Sequence, residues 1–242
     1  MRPPPQADWY VESLARGLNV LSSFSAEEPS LRVTDVSRRT GLSRAASRRL
    51  LMTLVQEGYA GLEGDRFFLR PRVLDLGFCY LSSMGFADLA RPILADLARD
   101  TGEAASVAIL DGLDTIYVAR ASHSPHLNVF VPLGARFPAY ATSLGRVLLA
   151  GLAPAELERR IAGLRLTSFT PASLRSKREL LDELKRVRAQ GWSSTANQLK
   201  AGIGGVAVPI RDPQSDVRAA LNVHMIVPPD AVTLDASGGT IM

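Results

Sequence analysis

The chain has 242 residues, 46% hydrophobic and 21% charged, which is enough for two domains with cores and argues against a largely disordered chain. Net charge is only +4, no apolar run approaches the ~20 residues of a membrane span, and the start MRPPPQADWY lacks the apolar stretch of a signal peptide. A cytoplasmic protein with no membrane partner is expected. The single cysteine, Cys79, excludes an internal disulfide framework and a multi-cysteine zinc site; it follows an apolar stretch and is expected to pack.

Residues 1–9 carry three consecutive prolines and read as a flexible tail. Val11, Leu14, Leu18 and Leu21 recur at helical spacing, which predicts a first helix over 10–24, closed by a turn region over 25–30. A second helix is expected from Thr34, as N-cap, to Gly41, as C-cap. Ser43 then caps a third helix that runs to about Glu57. Two helices meeting across TGLS give the helix-turn-helix pattern. Two β-prone runs, 59–63 and 66–70, flank Gly64-Asp65 and predict a hairpin. Residues 10–70 therefore read as a winged helix-turn-helix domain, and 71–85 as a linker helix.

The charge is concentrated in this part. From Arg32 to Arg49, six arginines face one acid, Asp35, a local excess larger than the charge of the whole chain. Such a patch suits a polyanion. On a helical wheel, Ala46, Leu50, Leu51 and Leu54 of the third helix form a core face, and Arg44, Ala45, Arg48, Arg49 and Met52 face outward. Arginine can bond guanine O6 and N7 with two donors, and small Ala45 permits close approach to the major groove. Arg38 and Arg39 on the second helix suit phosphate contacts, and Arg66 near the hairpin tip suits a minor-groove or phosphate contact. Ser43 and Ser47 complete the candidate DNA-binding set, with a cap as the alternative role of Ser43 and inward packing as that of Ser47. The expected partner is a double-stranded operator, read by a homodimer or tetramer, with Leu14, Leu18 and Leu76 as candidate subunit contacts.

The second half alternates helix and strand. A helix is expected over 86–101 with Leu89, Ile93, Leu94 and Leu97 on one side. Strands follow in ASVAIL, TIYVARA and HLNVFVPLG, helices over 143–151, 154–162 and 176–190, then strands in WSSTANQ, GGVAVPI and VRAALNVHMIV. A mixed sheet with helices on its faces makes an α+β domain over 86–227, followed by an irregular tail over 228–242.

The stretches YVESLARGLNVLSSF, LRVTDVSRRTGLSRAASRRLLMTLVQEGYA, ARPILADLARDTGEAASVAILDGLDTIYVARA and VRAQGWSSTANQLKAGIGGVAVPIRD resemble IclR-type transcriptional regulators from about Tyr10 to Val227. The segment LGARFPAYATSLGRVLLA is similar to the subgroup that controls aromatic-acid catabolism, the protocatechuate and β-ketoadipate regulators. The resemblance implies a GAF-like C-terminal domain that binds a small organic-acid effector. Carried onto this chain, its effector-binding positions are Ser143, Leu144, Thr195, Ile203, Gly205, Asn222 and His224. Backbone N–H groups at the helix start in TSLGRV suit an anion, and Asn222 and His224, two apart on a strand, face one side.

Two departures stand out. The family pattern implies an acidic residue before the loop glycine and an arginine after it, where this chain has Lys200, Ala201 and Gly204. It also implies a long closing helix, where this chain reads PPDAVTLDASGGTIM. The apolar last strands then need another cover, and a second subunit is the expected one because the tail offers little apolar surface.

No cofactor and no enzymatic role are expected. The sequence lacks G-x-S-x-G, a P-loop, H-E-x-x-H and CxxC, and His123 and His126 read as part of a solvated loop. The competing reading is a ligand-binding sensor without DNA binding; the outward arginine face argues against it.

Overall fold

The computed structural model describes residues 8–83, 86–122, 131–231, 233–234 and 240–241. The chain divides into two compact units, Met1–Ser83 and Met84–Met242.

The first unit holds α1 (Glu12–Leu21), β1 (Ser30–Arg32), α2 (Val33–Thr40), α3 (Arg44–Gln56), β2 (Ala60–Glu63), β3 (Arg66–Leu69) and α4 (Val73–Ser83). The helix-turn-helix is α2 and α3. Gly41 ends α2 in the left-handed region, φ 73°, where a side chain is strained. Ser43 Oγ accepts the Ala46 N–H at 3.2 Å and starts α3. The start of α2 differs from expectation: Arg32, not Thr34, is the N-cap, and its N–H donates to Asp35 Oδ2 at 3.0 Å. The wing has a third strand that the sequence pattern did not announce. β1 pairs antiparallel with β3, which pairs with β2, giving the order β1-β3-β2. Val20, Leu31, Val36, Leu51 and Phe67 are buried together and tie α1, β1, α2, α3 and β3 into one core, each worth roughly 1.5–3 kcal/mol. Cys79 on α4 is exposed rather than packed.

The second unit opens with α5 (Phe86–Thr101) and continues with β4 (Ala104–Asp111), β5 (Asp114–Ser122), β6 (Arg136–Pro138), α6 (Ser143–Ala150), α7 (Pro154–Ile161), α8 (Lys177–Gln190), β7 (Ser193–Ala196), β8 (Ile203–Arg211) and β9 (Val217–Ile226). The six strands form one sheet in the order β6-β5-β4-β9-β8-β7. Every neighbouring pair is antiparallel, so the α/β mixture lies in helices against a sheet and not in strand direction. Residues 131–134 turn back onto β5, with the Gly134 N–H on Tyr117 O at 2.7 Å, where a strand was expected. The remainder of that expected strand, and His123 and His126, lie outside the described residues.

On α5 the buried stripe is Ala90, Leu94 and Ala98, while Ile93 is 60% exposed; small residues at i and i+8 let the helix sit close to β4 and β5. All eight residues of α6 are buried. Gly145 belongs there because a Cβ would fall on the Ala139 backbone. The tail contributes more than its composition suggests: Ala231 is buried against Ala196 and Val227. Asn197 Nδ2 donates to the carbonyls of Pro228, Pro229 and Ala231, so polar clasping replaces the apolar area the tail lacks. Among the described residues, no helix is long and apolar enough to cross a membrane.

Candidate functional site

The outward face of α3 carries Arg44, Ala45, Arg48 and Arg49, all exposed. Their three guanidinium groups make no hydrogen bond or ion pair among the described residues. Three uncommitted guanidinium groups on one exposed helix face, one turn from a capped N-terminus, are available to bases and phosphates. Arg38 is also accessible, 72% exposed in a surface pair with Asp35.

Three members of the sequence-derived set are placed differently. Ser47 is fully buried, because the core stripe of α3 runs through Ser47 and Leu51 while Ala46 and Leu50 are only half-buried. It cannot reach DNA from there. Arg39 is engaged within the unit, donating to Ser23 O at 2.6 Å and pairing with Glu28, so it fastens the α1–β1 connection. Arg66 is exposed but donates to Ser30 O at 3.1 Å, across the β1–β3 pair. Ser43 acts as the cap.

In the second unit, a cavity of about 540 Å³ opens at the start of α6. Strand register builds its floor. Thr195, Gly205 and His224 fall in one cross-strand row of β7, β8 and β9, and Asn222 falls in the next row between Ala207 and Ser106. Alternation then puts Asn222 and His224 on the same face. Ser143, Thr195, Ile203, Gly205, Asn222 and His224 all line the cavity. The Leu144 side chain does not; it is fully buried in the core below α6. Gly205 leaves room for the polar groups, since a Cβ there would come within 3.3 Å of both Asn222 Nδ2 and Ser143 Oγ.

Thr142 caps α6, accepting the Gly145 N–H at 3.0 Å. The N–H groups of Ser143 and Leu144 have no acceptor among the described residues, so the positive end of the helix faces the cavity through Ser143. Apolar walls come from Tyr117, Val131, Phe137, Phe169 and Leu199, and Lys200 adds a cation. None of these six was singled out in the sequence as a site residue. The aromatic walls come from three separate segments and share no local pattern.

The floor is polar and incompletely satisfied. Asn222 and His224 are buried, and Asn222 Nδ2 lies 3.4 Å from His224 Nδ1. Asn222 Oδ1 and His224 Nε2 have no hydrogen-bond partner among the described residues. Burial, with the Arg120 charge adding to it, pushes the His224 imidazole down to about 4, so it is neutral at pH 7. Burial also raises the Tyr117 hydroxyl. Tyr117 stacks on the His224 ring at 5.8 Å.

Arg146, one turn into α6, is 1% exposed. Its Nε donates to Tyr140 O at 2.9 Å, one Nη donates to Gln198 Oε1, and Glu183 lies 3.6 Å from the other. Burial lowers the guanidinium to about 9, with repulsion from Arg186 adding to it, and it stays charged at neutral pH. Among the described residues there is no cluster of acidic, histidine or cysteine side chains that would hold a metal.

A winged helix-turn-helix followed by a sheet domain with a ligand-sized cavity defines a ligand-responsive transcriptional regulator. The family comparisons agree: the IclR helix-turn-helix domain matches residues 13–63, and the bacterial transcriptional regulator IclR C-terminal domain matches residues 78–228. The chain belongs to the IclR family of transcriptional regulators. It is 40% identical over 215 residues to the Pca regulon regulatory protein of Pseudomonas putida, covering 88% of this chain and 74% of that one. A solved transcriptional regulator from Rhodococcus sp. RHA1 matches with TM-score 0.79 at 42% identity, over 90% of this chain and 87% of that one. The inducer-binding domain of the PobR transcription factor from Acinetobacter, a double mutant in complex with 3-hydroxybenzoic acid, matches with TM-score 0.53 at 30% identity, over 58% of this chain and 82% of that one.

Proposed function

We propose that the second unit binds a small aromatic carboxylic acid, and that this effector modulates operator recognition by Arg44, Arg48 and Arg49 of α3. The observation that carries the effector reading is the cavity itself: aromatic walls, a helix start with free N–H groups, and a buried polar floor. The known complex of the PobR domain with a hydroxybenzoic acid supports the ligand class. Residues 10–70 act as the DNA-binding domain, 71–85 as the linker and 86–227 as the effector domain.

A thermal-shift panel of benzoate, hydroxybenzoates and aliphatic dicarboxylates tests the reading. At 100-fold excess over Kd, a cognate acid adds about 2.7 kcal/mol by mass action, or roughly 5–10 °C in the melting temperature of a unit this size. Ser143→Trp is expected to fill the cavity and abolish the shift while leaving DNA binding intact. A full shift in Ser143→Trp, or none with any acid in the parent chain, would refute the assignment.

Operator recognition in two half-sites requires two copies, and we propose a dimer formed partly through α1 and α4. Leu14, Leu18 and Leu76 are 63%, 52% and 53% exposed, more apolar surface than a solitary helix face favours. Replacing Leu14 and Leu18 with glutamate is expected to give monomers in sedimentation at micromolar concentration. An unchanged dimer would remove these two residues from the interface.

A further inference from the structure

We infer that, within the effector cavity, the Asn222–His224 pair recognises a neutral hydroxyl group of the ligand and not its carboxylate. This rests on the cavity being the effector site, and it follows from what the two side chains leave unused. As placed, Asn222 Nδ2 donates to His224 Nδ1, 3.4 Å away. The ring proton then sits on Nε2, and the pair offers the cavity one acceptor, Asn222 Oδ1, and one donor, His224 Nε2–H. With the amide turned over, Asn222 Oδ1 accepts from Nδ1–H, and the pair offers one amide donor and one Nε2 acceptor. Either assignment presents one donor beside one acceptor, both buried, and neither Asn222 Oδ1 nor His224 Nε2 has a partner among the described residues.

A carboxylate has only lone pairs and would set its charge against the acceptor. A hydroxyl donates and accepts at once and satisfies both atoms. The floor's neighbours on the same face are Ala207, Ser106, Gly205 and Thr195; Arg120 stands in the same row beyond Ser106 and its charge reaches His224, but it donates to Val131 O at 3.2 Å and does not line the cavity. The complementary charge for an acid lies instead at the free N–H groups of the α6 start and at Lys200. The cavity is thus divided by chemistry, with an anion-accepting part and a neutral hydrogen-bonding part.

Calorimetric titration of the full chain with benzoate, 3-hydroxybenzoate, 4-hydroxybenzoate, 4-methoxybenzoate and phenol tests this division. The better-fitting hydroxybenzoate is expected to bind at least about tenfold tighter than benzoate, the value of satisfying buried polar atoms. The methoxy analogue, which can accept but not donate, is expected to lose most of that advantage. In Asn222→Ala and in His224→Phe, the preference for the hydroxybenzoate over benzoate is expected to fall to within about threefold. Acids that bind without hydroxyl preference in the parent chain overturn the inference and leave the effector reading standing. A preference that survives in both variants also overturns it, and the parent-chain comparison stands even where a variant does not fold. Failure of every probe to bind, phenol included, overturns both.

Discussion

Arg146→Ala is expected to destabilise the second unit by about 3–5 kcal/mol, the usual cost of removing one partner from a buried charged network. The loss has three parts. The carbonyl of Tyr140 and the amide oxygen of Gln198 lose their donors inside the protein. Glu183, 7% exposed, keeps only Arg186 at the surface side. A guanidinium-sized void also opens beside a helix whose eight residues are all buried. Arg146→Met fills most of the void without restoring the donors, so it separates packing from polar loss and should fall between the parent and alanine. Arg146→Lys keeps the charge but not the planar fork that serves Tyr140 and Gln198 together. Urea denaturation followed by circular dichroism measures the series. A loss below about 1 kcal/mol in Arg146→Ala would mean that the network is not holding the unit together.

Simultaneous Arg44→Ala and Arg48→Ala is expected to cost about 2–6 kcal/mol in operator affinity, from roughly 1–3 kcal/mol for each bidentate base contact. That is about thirtyfold to twenty-thousandfold in Kd. Stability should not change, because both side chains are exposed and unpaired among the described residues. Arg38→Ala serves as the contrast: it is expected to weaken specific and non-specific binding alike and to reduce the salt slope by about one. Mobility shift against operator and random duplex at several salt concentrations distinguishes the two behaviours. Unchanged operator affinity in the double variant would remove α3 as the reading helix.

The helix-turn-helix was legible because its signals are local. Gly41 and Ser43 each dictate backbone geometry within four residues, and both do so in the structure. The wing's first strand was not legible: Ser30–Arg32 is three residues long, too short to show a period, and exists only because β3 pairs with it. The place of Ser47 was left between a DNA contact and inward packing for a related reason. A buried serine carries no hydrophobic signal, so the wheel centred the core on Ala46 and Leu50 when the packed stripe is one residue further on.

In the cavity, Asn222 and His224 were reached through the family resemblance, and their spacing on one strand agreed with a shared face. Tyr117, Phe137 and Phe169 were not legible, because β5, β6 and the segment before α8 meet only after the sheet has formed. The order β6-β5-β4-β9-β8-β7 is a long-range property that no window of sequence contains.

Asn197 meets three demands at one position, which narrows what the chain can accept there. Its φ of 56° calls for a residue that tolerates the left-handed region, in practice glycine, asparagine or aspartate. Its Oδ1 accepts the Gly202 N–H at 2.6 Å, in the loop that carries Leu199 and Lys200 to the cavity. Its Nδ2 donates to three carbonyls of the 228–231 segment. Glycine supplies the backbone and neither bond; aspartate supplies the acceptor but sets a carboxylate against three carbonyl oxygens. Of the twenty residues only asparagine meets all three requirements, so a saturation library at this position should have a viable alphabet of a single letter.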